Sequence, residues 1–381
     1  MPERGGHVRD PEGQAPGDWK ADVRGGVRHV EDLVRLPLTE AELASARAAG
    51  QHHKVRIPSG YLDLIDWNDP DDPIRRQVVP TAEELSFDGR ELEDPIGDTA
   101  HSPVPRLTHR YPDRVLLFPT YLCAVYCRYC FRKESLTTVG RGYSRDALSE
   151  AFDYIEAHPD IREVILTGGD PLSVTDRDLR DIRQRIETIP HVRLLRIHTR
   201  IPVALPNRIT DGLVEALKGR LTVSVVTHFN HPRELSGAAE TACRRLREAG
   251  FMLLNQTVLL KGVNDDARIL RDLFTELVCR LGVKPYYLHH CDLVRGMTHM
   301  RTTIEEGLAI MRQLRGYISG LCNPVYVLDL PGGAGKIPLG PGYVESREGA
   351  DWVFRTYDGK LHRYREIVDH VSEESHDARS L

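Results

Sequence analysis

From Arg114 onward, short runs rich in β-branched and aliphatic residues alternate with longer stretches whose apolar positions recur at helical spacing. The short runs are RVLLFPT (114–120), EVILTGG (163–169), VRLLRIHT (192–199), LTVSVVTHF (221–229), MLLNQTVLL (252–260), PYYLHH (285–290) and VYVLDL (325–330). Between them lie RDALSEAFDYIEA, DLRDIRQRIETI, RELSGAAETACRRLREAG and IEEGLAIMRQLRGYI. Strands alternating with helices at roughly 30-residue steps predict parallel βαβ units. A series of such units without long insertions points to an α/β fold, a partial or full parallel (β/α) barrel, over a doubly wound sheet. In such barrels the chemistry sits at the C-terminal ends of the strands. Polar and glycine-rich residues cluster at those ends here: Thr167-Gly168-Gly169-Asp170, His198-Thr199-Arg200, Thr227 to His231, Asn255-Gln256 and His290-Cys291-Asp292.

Upstream, the pattern from Leu38 to about Ile65 predicts helix, and Asn68 to Pro73 is loop chemistry because each proline removes a donor and biases its predecessor away from helix. Residues 1–17, rich in Gly, Pro and charge, are expected to be a disordered leader. Near the other end DWVFRTYDGKLHRY reads as a β-hairpin turning at Asp358-Gly359. The expected organisation is a leader (1–17), an N-terminal helical region (18–108), the barrel (109–345), and a C-terminal hairpin and tail (346–381).

Composition narrows the function. A formal charge of -5 with 40% hydrophobic residues describes a soluble globular protein and disfavours nucleic acid as partner. No apolar run is long enough for a membrane span, and the first residues lack the apolar core of a signal peptide, so no membrane association and a cytoplasmic location are expected. Seven cysteines, an odd number, do not suit a secreted disulfide framework.

Three of those cysteines fall in CAVYCRYCFRK, as Cys123, Cys127 and Cys130, directly after a predicted strand. Three thiolates can hold three irons of a [4Fe-4S] cluster, whereas an electron-carrying cluster normally uses four cysteines. The open fourth iron could accept the amino and carboxylate pair of S-adenosylmethionine, whose C–S bond one electron would cleave to a 5′-deoxyadenosyl radical. Zinc and chance clustering are the alternatives, but the nearby His101 and His109 lack the paired spacing of a zinc site.

A second motif is DLPGGAGKIP, ending in Lys336. It is not a phosphate-binding loop, since Leu330 and Ile337 stand where that motif needs glycine and Ser or Thr. A lysine at the end of a glycine run just after a strand could form a Schiff base with a carbonyl cofactor such as pyridoxal phosphate, or be a solvated lysine on a surface turn. His289-His290-Cys291-Asp292 invites a metal reading, rejected because consecutive strand residues point to opposite faces.

With CAVYCRYCFRK and LDLPGGAGKIP in one chain, and THRYPDRVLL, LTGGD, RIPVALPNRIT, THFNHP, NQTVLLKGVND and CDLVRG between them, the sequence resembles the lysine 2,3-aminomutase family from about Asp18 to Val344. The resemblance implies S-adenosylmethionine, a [4Fe-4S] cluster and pyridoxal phosphate as cofactors. It implies that Cys123, Cys127 and Cys130 ligate the cluster and that Lys336 holds the pyridoxal aldehyde. Arg110, Tyr111 and Arg114 match positions that bind the pyridoxal phosphate group, and Arg132 the residue that grips the substrate carboxylate. Asp292 and Asp329 match the pair that receives the lysine side-chain ammonium. Gly168, Gly169 and Asp170 occupy the glycine-rich strand end beside the methionine part of the cosubstrate, with His228, Asn230 and Gln256 as further polar partners. The implied reaction moves the α-amino group of L-lysine to the β-carbon; arginine or another amino acid is the alternative substrate, and a radical enzyme without pyridoxal phosphate the alternative class. Two aspartates disfavour glutamate. An electron donor such as flavodoxin or ferredoxin and a homo-oligomer are also implied. The chain departs from the clostridial-type enzymes in lacking cysteine after Cys322 and in carrying Asp266 where they have cysteine, so their intersubunit zinc is not expected. His289 and Phe131 stand where they have tyrosine and threonine.

Overall fold

A computed structural model describes residues 18–86, 88–138 and 146–367; the expected leader (1–17) and the end of the tail (368–381) lie outside them. The seven predicted strands all form: β2 (Arg114–Thr120), β3 (Glu163–Gly168), β4 (Leu194–His198), β5 (Thr222–Thr227), β6 (Met252–Leu259), β7 (Lys284–His290) and β8 (Val325–Leu330). They pair in sequence order, each parallel to the next. Antiparallel strands flank this arc: β1 (Leu107–Tyr111) beside β2, and β9 (Gly335–Pro338) beside β8. The result is a nine-stranded, nearly closed barrel. Among the described residues no helix is long and apolar enough to cross a membrane.

Alternation along the strands sorts the side chains. On β6, Leu253 and Leu259 are buried in the same core as Leu246 and Leu270 of the surrounding helices, whereas Leu254, Gln256 and Val258 on the other face are only half-buried. On β8, Tyr326 faces the surrounding helices; a Cβ on Gly307 of the helix Ile304–Leu314 would lie 2.1 Å from its hydroxyl, so glycine is what lets that helix seat on the strand.

The helical reading of Leu38 to Ile65 is only partly met. The helix Glu40–Gly50, capped by Thr39, ends there, and a short helix Ser59–Leu62 follows. The first helix stops at a glycine, a poor helix former, and further on Pro58 keeps Ile57 extended, so that Ile57 exchanges backbone hydrogen bonds with Val27 at 2.9 and 2.8 Å. The N-terminal region is fastened to the barrel mouth by a buried, bidentate ion pair between Glu84 and Arg128, at 2.9 and 2.6 Å. The C-terminal hairpin forms as β11 (Asp351–Arg355) and β12 (Leu361–Arg365), and β10 (Val344–Glu348) adds a third antiparallel strand that was not foreseen.

Candidate active site at the barrel mouth

The cysteine loop leaves the end of β2 and is anchored on both sides. Gly169 and Asp170 donate backbone hydrogen bonds to Thr120 and Leu122 carbonyls, each at 2.8 Å. A Cβ on Gly169 would sit 2.4 Å from the Leu122 carbonyl oxygen and 2.6 Å from its nitrogen, so only glycine lets the end of β3 lie against the start of the loop. Gly168 adopts φ +101, which favours glycine for a second reason. From the other side, Arg128 N donates to Gln77 O at 2.9 Å, and Arg56 Nη1 to Cys123 O at 3.1 Å.

Cys123, Cys127 and Cys130 are free and line one cavity together with His53, Lys54, Arg128 and Lys133. Burial pushes the Cys123 thiol well up and that of Cys130 up to about 11. Such thiols become thiolates only when a metal takes the proton's place. The Lys133 ammonium is buried beside them without a hydrogen-bond partner. Three sulfurs in one recess, with a buried cation at its wall that makes no hydrogen bond, fit an anionic iron–sulfur cluster.

Across the mouth, β8 and β9 set Asp329 and Lys336 opposite one another. Lys336 Nζ lies 2.6 Å from both carboxylate oxygens of Asp329. Tyr111 at the end of β1 accepts the Lys336 backbone N–H at 2.9 Å, and the Arg114 guanidinium stacks 3.9 Å from the Tyr111 ring centre. His289 Nδ1 is 3.3 Å from Asp329 Oδ2. Burial alone would raise the Asp329 carboxyl, but the hydrogen bond from His289 and the charge of Lys336 hold it below the usual carboxylate range. Asp292 behaves oppositely: burial, with the Asp329 charge adding to it, pushes its carboxyl up to about 7, and its Oδ1 is buried without a partner. His289 and His290 do point apart, the latter to Tyr326 at 2.9 Å.

Arg132 and Arg110 are joined by a residue that the sequence reading missed. Asp98 accepts from Arg110 Nη2 at 2.8 Å through one oxygen and from Arg132 Nε at 2.9 Å through the other. Arg132 also reaches Thr167 Oγ1 at 3.3 Å. No periodicity marks Asp98, since it lies in the irregular stretch before β1; a carboxylate near two arginines is visible only in three dimensions.

The proposed cosubstrate residues divide. Asp170 is buried and spends its carboxylate on Thr199 Oγ1 and Arg200 N, both at 2.7 Å, and Leu172 N at 3.1 Å, so it ties β3 to β4. Burial still raises its carboxyl to about 6. Asn230 is likewise engaged, accepting from Val258 N and donating to Gln77, each at 3.0 Å. Gln256 stays half-buried on the face of β6 opposite Asn255, and the His228 ring lies 5.6 Å from that of Tyr129. His198, placed at a strand end but given no role by the sequence, joins His228 and His289 in having a buried Nε2 without a partner; Arg110 Nε and Asp292 Oδ1 are in the same condition. Buried polar atoms are nearly always bonded, so this set suits polar ligands such as a phosphorylated pyridine, an amino acid or a nucleoside sulfonium.

A family model described as lysine-2,3-aminomutase matches residues 311–380, and one described as the radical SAM superfamily matches residues 117–273. The L-lysine 2,3-aminomutase of Clostridium subterminale is 43% identical over 355 residues, 93% of this chain and 85% of the relative. The L-lysine 2,3-aminomutase of Acetoanaerobium sticklandii is 41% identical over 356 residues, 93% and 86%. The glutamate 2,3-aminomutase of Clostridioides difficile is 39% identical over 349 residues, 90% and 82%.

The contact at Gly169 is testable. Gly169→Ala forces backbone against backbone, costs about 1–3 kcal/mol, and should shift the cysteine loop. The variant should keep its far-ultraviolet circular dichroism while retaining clearly less iron per chain after anaerobic reconstitution. Wild-type iron content would show that the close approach does not position the loop.

Proposed function

Because the chain belongs to the lysine 2,3-aminomutase family of radical S-adenosylmethionine enzymes, and is therefore an isomerase, we propose that it converts L-lysine to β-lysine with pyridoxal phosphate held by Lys336. The observation that carries the substrate is the ion pair of Lys336 with Asp329. The mouth of this barrel already binds a primary ammonium at the end of a four-carbon chain, between one ionised carboxylate and a second, Asp292, kept nearby. When Lys336 turns to the cofactor, its positive charge leaves that slot and the distal ammonium of a lysine substrate restores it. Glutamate would bring a third carboxylate instead. One relative is a glutamate 2,3-aminomutase, so family membership alone does not choose the substrate, and these two aspartates are the reason for choosing lysine.

Pyridoxal phosphate supplies a conjugated π system through which nitrogen can migrate, and the cluster with S-adenosylmethionine supplies the radical that abstracts the β-hydrogen. The chain's own residues do the rest. Arg110, Tyr111 and Arg114 would hold the phosphate, arginine being suited to bidentate charge-assisted bonds. Arg132 would take the substrate carboxylate, with Asp98 keeping its guanidinium plane fixed from behind. His289 holds Asp329 in register to receive a cation. Burial of the site keeps water from the radical. Reduction of the cluster calls for a one-electron donor such as flavodoxin or ferredoxin.

Anaerobically reconstituted protein, offered lysine, arginine and glutamate in competition with amino-group position read by mass spectrometry, should convert lysine fastest and leave glutamate untouched. Lys336→Ala should lose the visible absorbance of bound pyridoxal phosphate while keeping that of the cluster. Preferred turnover of arginine or glutamate would overturn the lysine assignment, and retained cofactor absorbance would overturn Lys336.

Asp292 adds a pH dependence. Its protonated form offers no charge, and Lys336, one of the groups holding its carboxyl down, is withdrawn when the cofactor is bound, so the midpoint lies at or above about 7. Lysine binding should therefore tighten as pH rises through that point and weaken below it, followed by the cofactor's absorbance change. Asp292→Asn should flatten this part of the profile; an unchanged profile would remove Asp292 from the cation site.

A further inference from the structure

Arg200 follows β4 and is buried, and both terminal nitrogens of its guanidinium are engaged, while Nε has no hydrogen-bond partner. Nη1 lies 2.8 Å from Cys127 Sγ and also contacts the Tyr129 hydroxyl. Nη2 donates to Tyr61 Oη at 2.7 Å, Gln77 Oε1 at 2.8 Å and Glu234 Oε1 at 2.7 Å. Its backbone N–H is fixed to Asp170 Oδ2 at 2.7 Å. Glu234 is itself held by Tyr61 Oη at 2.6 Å and the backbone nitrogen of His231 at 3.0 Å. The partners come from the N-terminal region, the cysteine loop and the segment after β5, so the guanidinium cannot swing away from the sulfur.

We infer that Arg200 is a positioning residue for the cluster: it orients the Cys127 sulfur and, with Glu234 as partial counter-charge, sets the cluster's reduction potential. A cluster on three thiolates is anionic and gains a further negative charge on reduction. A fixed cation hydrogen-bonded to one of its sulfurs stabilises the reduced form more than the oxidised one, and hydrogen bonds to sulfur and net local charge are the levers a protein has on this potential. Burial makes the effect large, because no water screens it. Arg200 approaches Cys127 from outside the cavity that the three cysteines line; of the cations on that cavity's wall, Arg128 is paired with Glu84 and the Lys133 ammonium makes no hydrogen bond, whereas Arg200 bonds the sulfur directly. Arginine rather than lysine is required to reach the sulfur and four oxygen acceptors at once. The inference depends on the cluster alone and stands or falls apart from the choice of lysine as substrate.

The test is a redox titration of the reconstituted holoprotein, followed by the electron paramagnetic resonance of the reduced cluster, with iron content measured on each sample. Arg200→Gln should move the midpoint to more negative potential, Arg200→Lys by less, and Glu234→Gln to more positive potential. Opposite signs are the discriminating feature, since simple damage to a structural pin would move both the same way. An unchanged midpoint in an iron-replete Arg200→Gln protein, or shifts of the same sign in the two charge-removing variants, would overturn the inference. Should Arg200→Gln fail to retain iron, Glu234→Gln decides: a positive shift supports the assignment, and no shift or a negative one refutes it.

Discussion

A lysine ammonium gripped by both oxygens of one buried aspartate, Lys336 against Asp329, is the constraint around which the barrel mouth is arranged. The Asp329 carboxylate would not tolerate this depth alone, since an unpaired buried ion costs several kcal/mol. The pair exists because β9 turns back antiparallel to β8 in a register that makes the two residues direct partners. Tyr111 then fastens the last strand of the sheet to the first through the Lys336 backbone. Register, closure and charge thus meet at one residue, and any ligand that draws Lys336 away must leave behind a vacancy for another cation.

A second buried cation organises the opposite side. Arg200 lies against Cys127, and its acceptors include Tyr61 and Gln77 from the region ahead of the barrel. This gives the N-terminal region a chemical task as well as a packing one: it closes the polar network behind the cysteine loop. Asp98, from the same region, spans Arg110 and Arg132. Both sides of the mouth are therefore completed by residues that precede the barrel in the chain.

The barrel was legible because its signals are local. Runs such as EVILTGG and LTVSVVTHF are too short and too β-branched for helix, and their alternation with amphipathic stretches leaves little choice of topology. The spacing of Cys123, Cys127 and Cys130 is equally local. The helix expected from Leu38 to Ile65 stops at Gly50, and Ile57, extended before Pro58, pairs with Val27 instead of continuing it; β10 escaped notice because its residues, Val344 to Glu348, are exposed and bury no face. Asp98 and Arg200 were illegible as partners for a different reason: their contacts join residues remote in sequence, Asp98 with Arg132 and Arg200 with Tyr61. Lys336 lay between these cases. Its glycine run suited a surface turn as well as a cofactor site until β9 and the pairing with Asp329 gave it a fixed position.

If the slot beside Asp329 is a cation site lent to Lys336 and reclaimed by substrate, the distal ammonium should dominate recognition. The most direct measurement compares, on cofactor-loaded protein near pH 8, the dissociation constants of L-lysine and 2-aminoheptanoate, in which a methyl group replaces that ammonium. The cation-slot account expects lysine to bind about 100-fold more tightly or better, as pairing of an otherwise uncompensated buried carboxylate implies. Equal affinity for the two would contradict it.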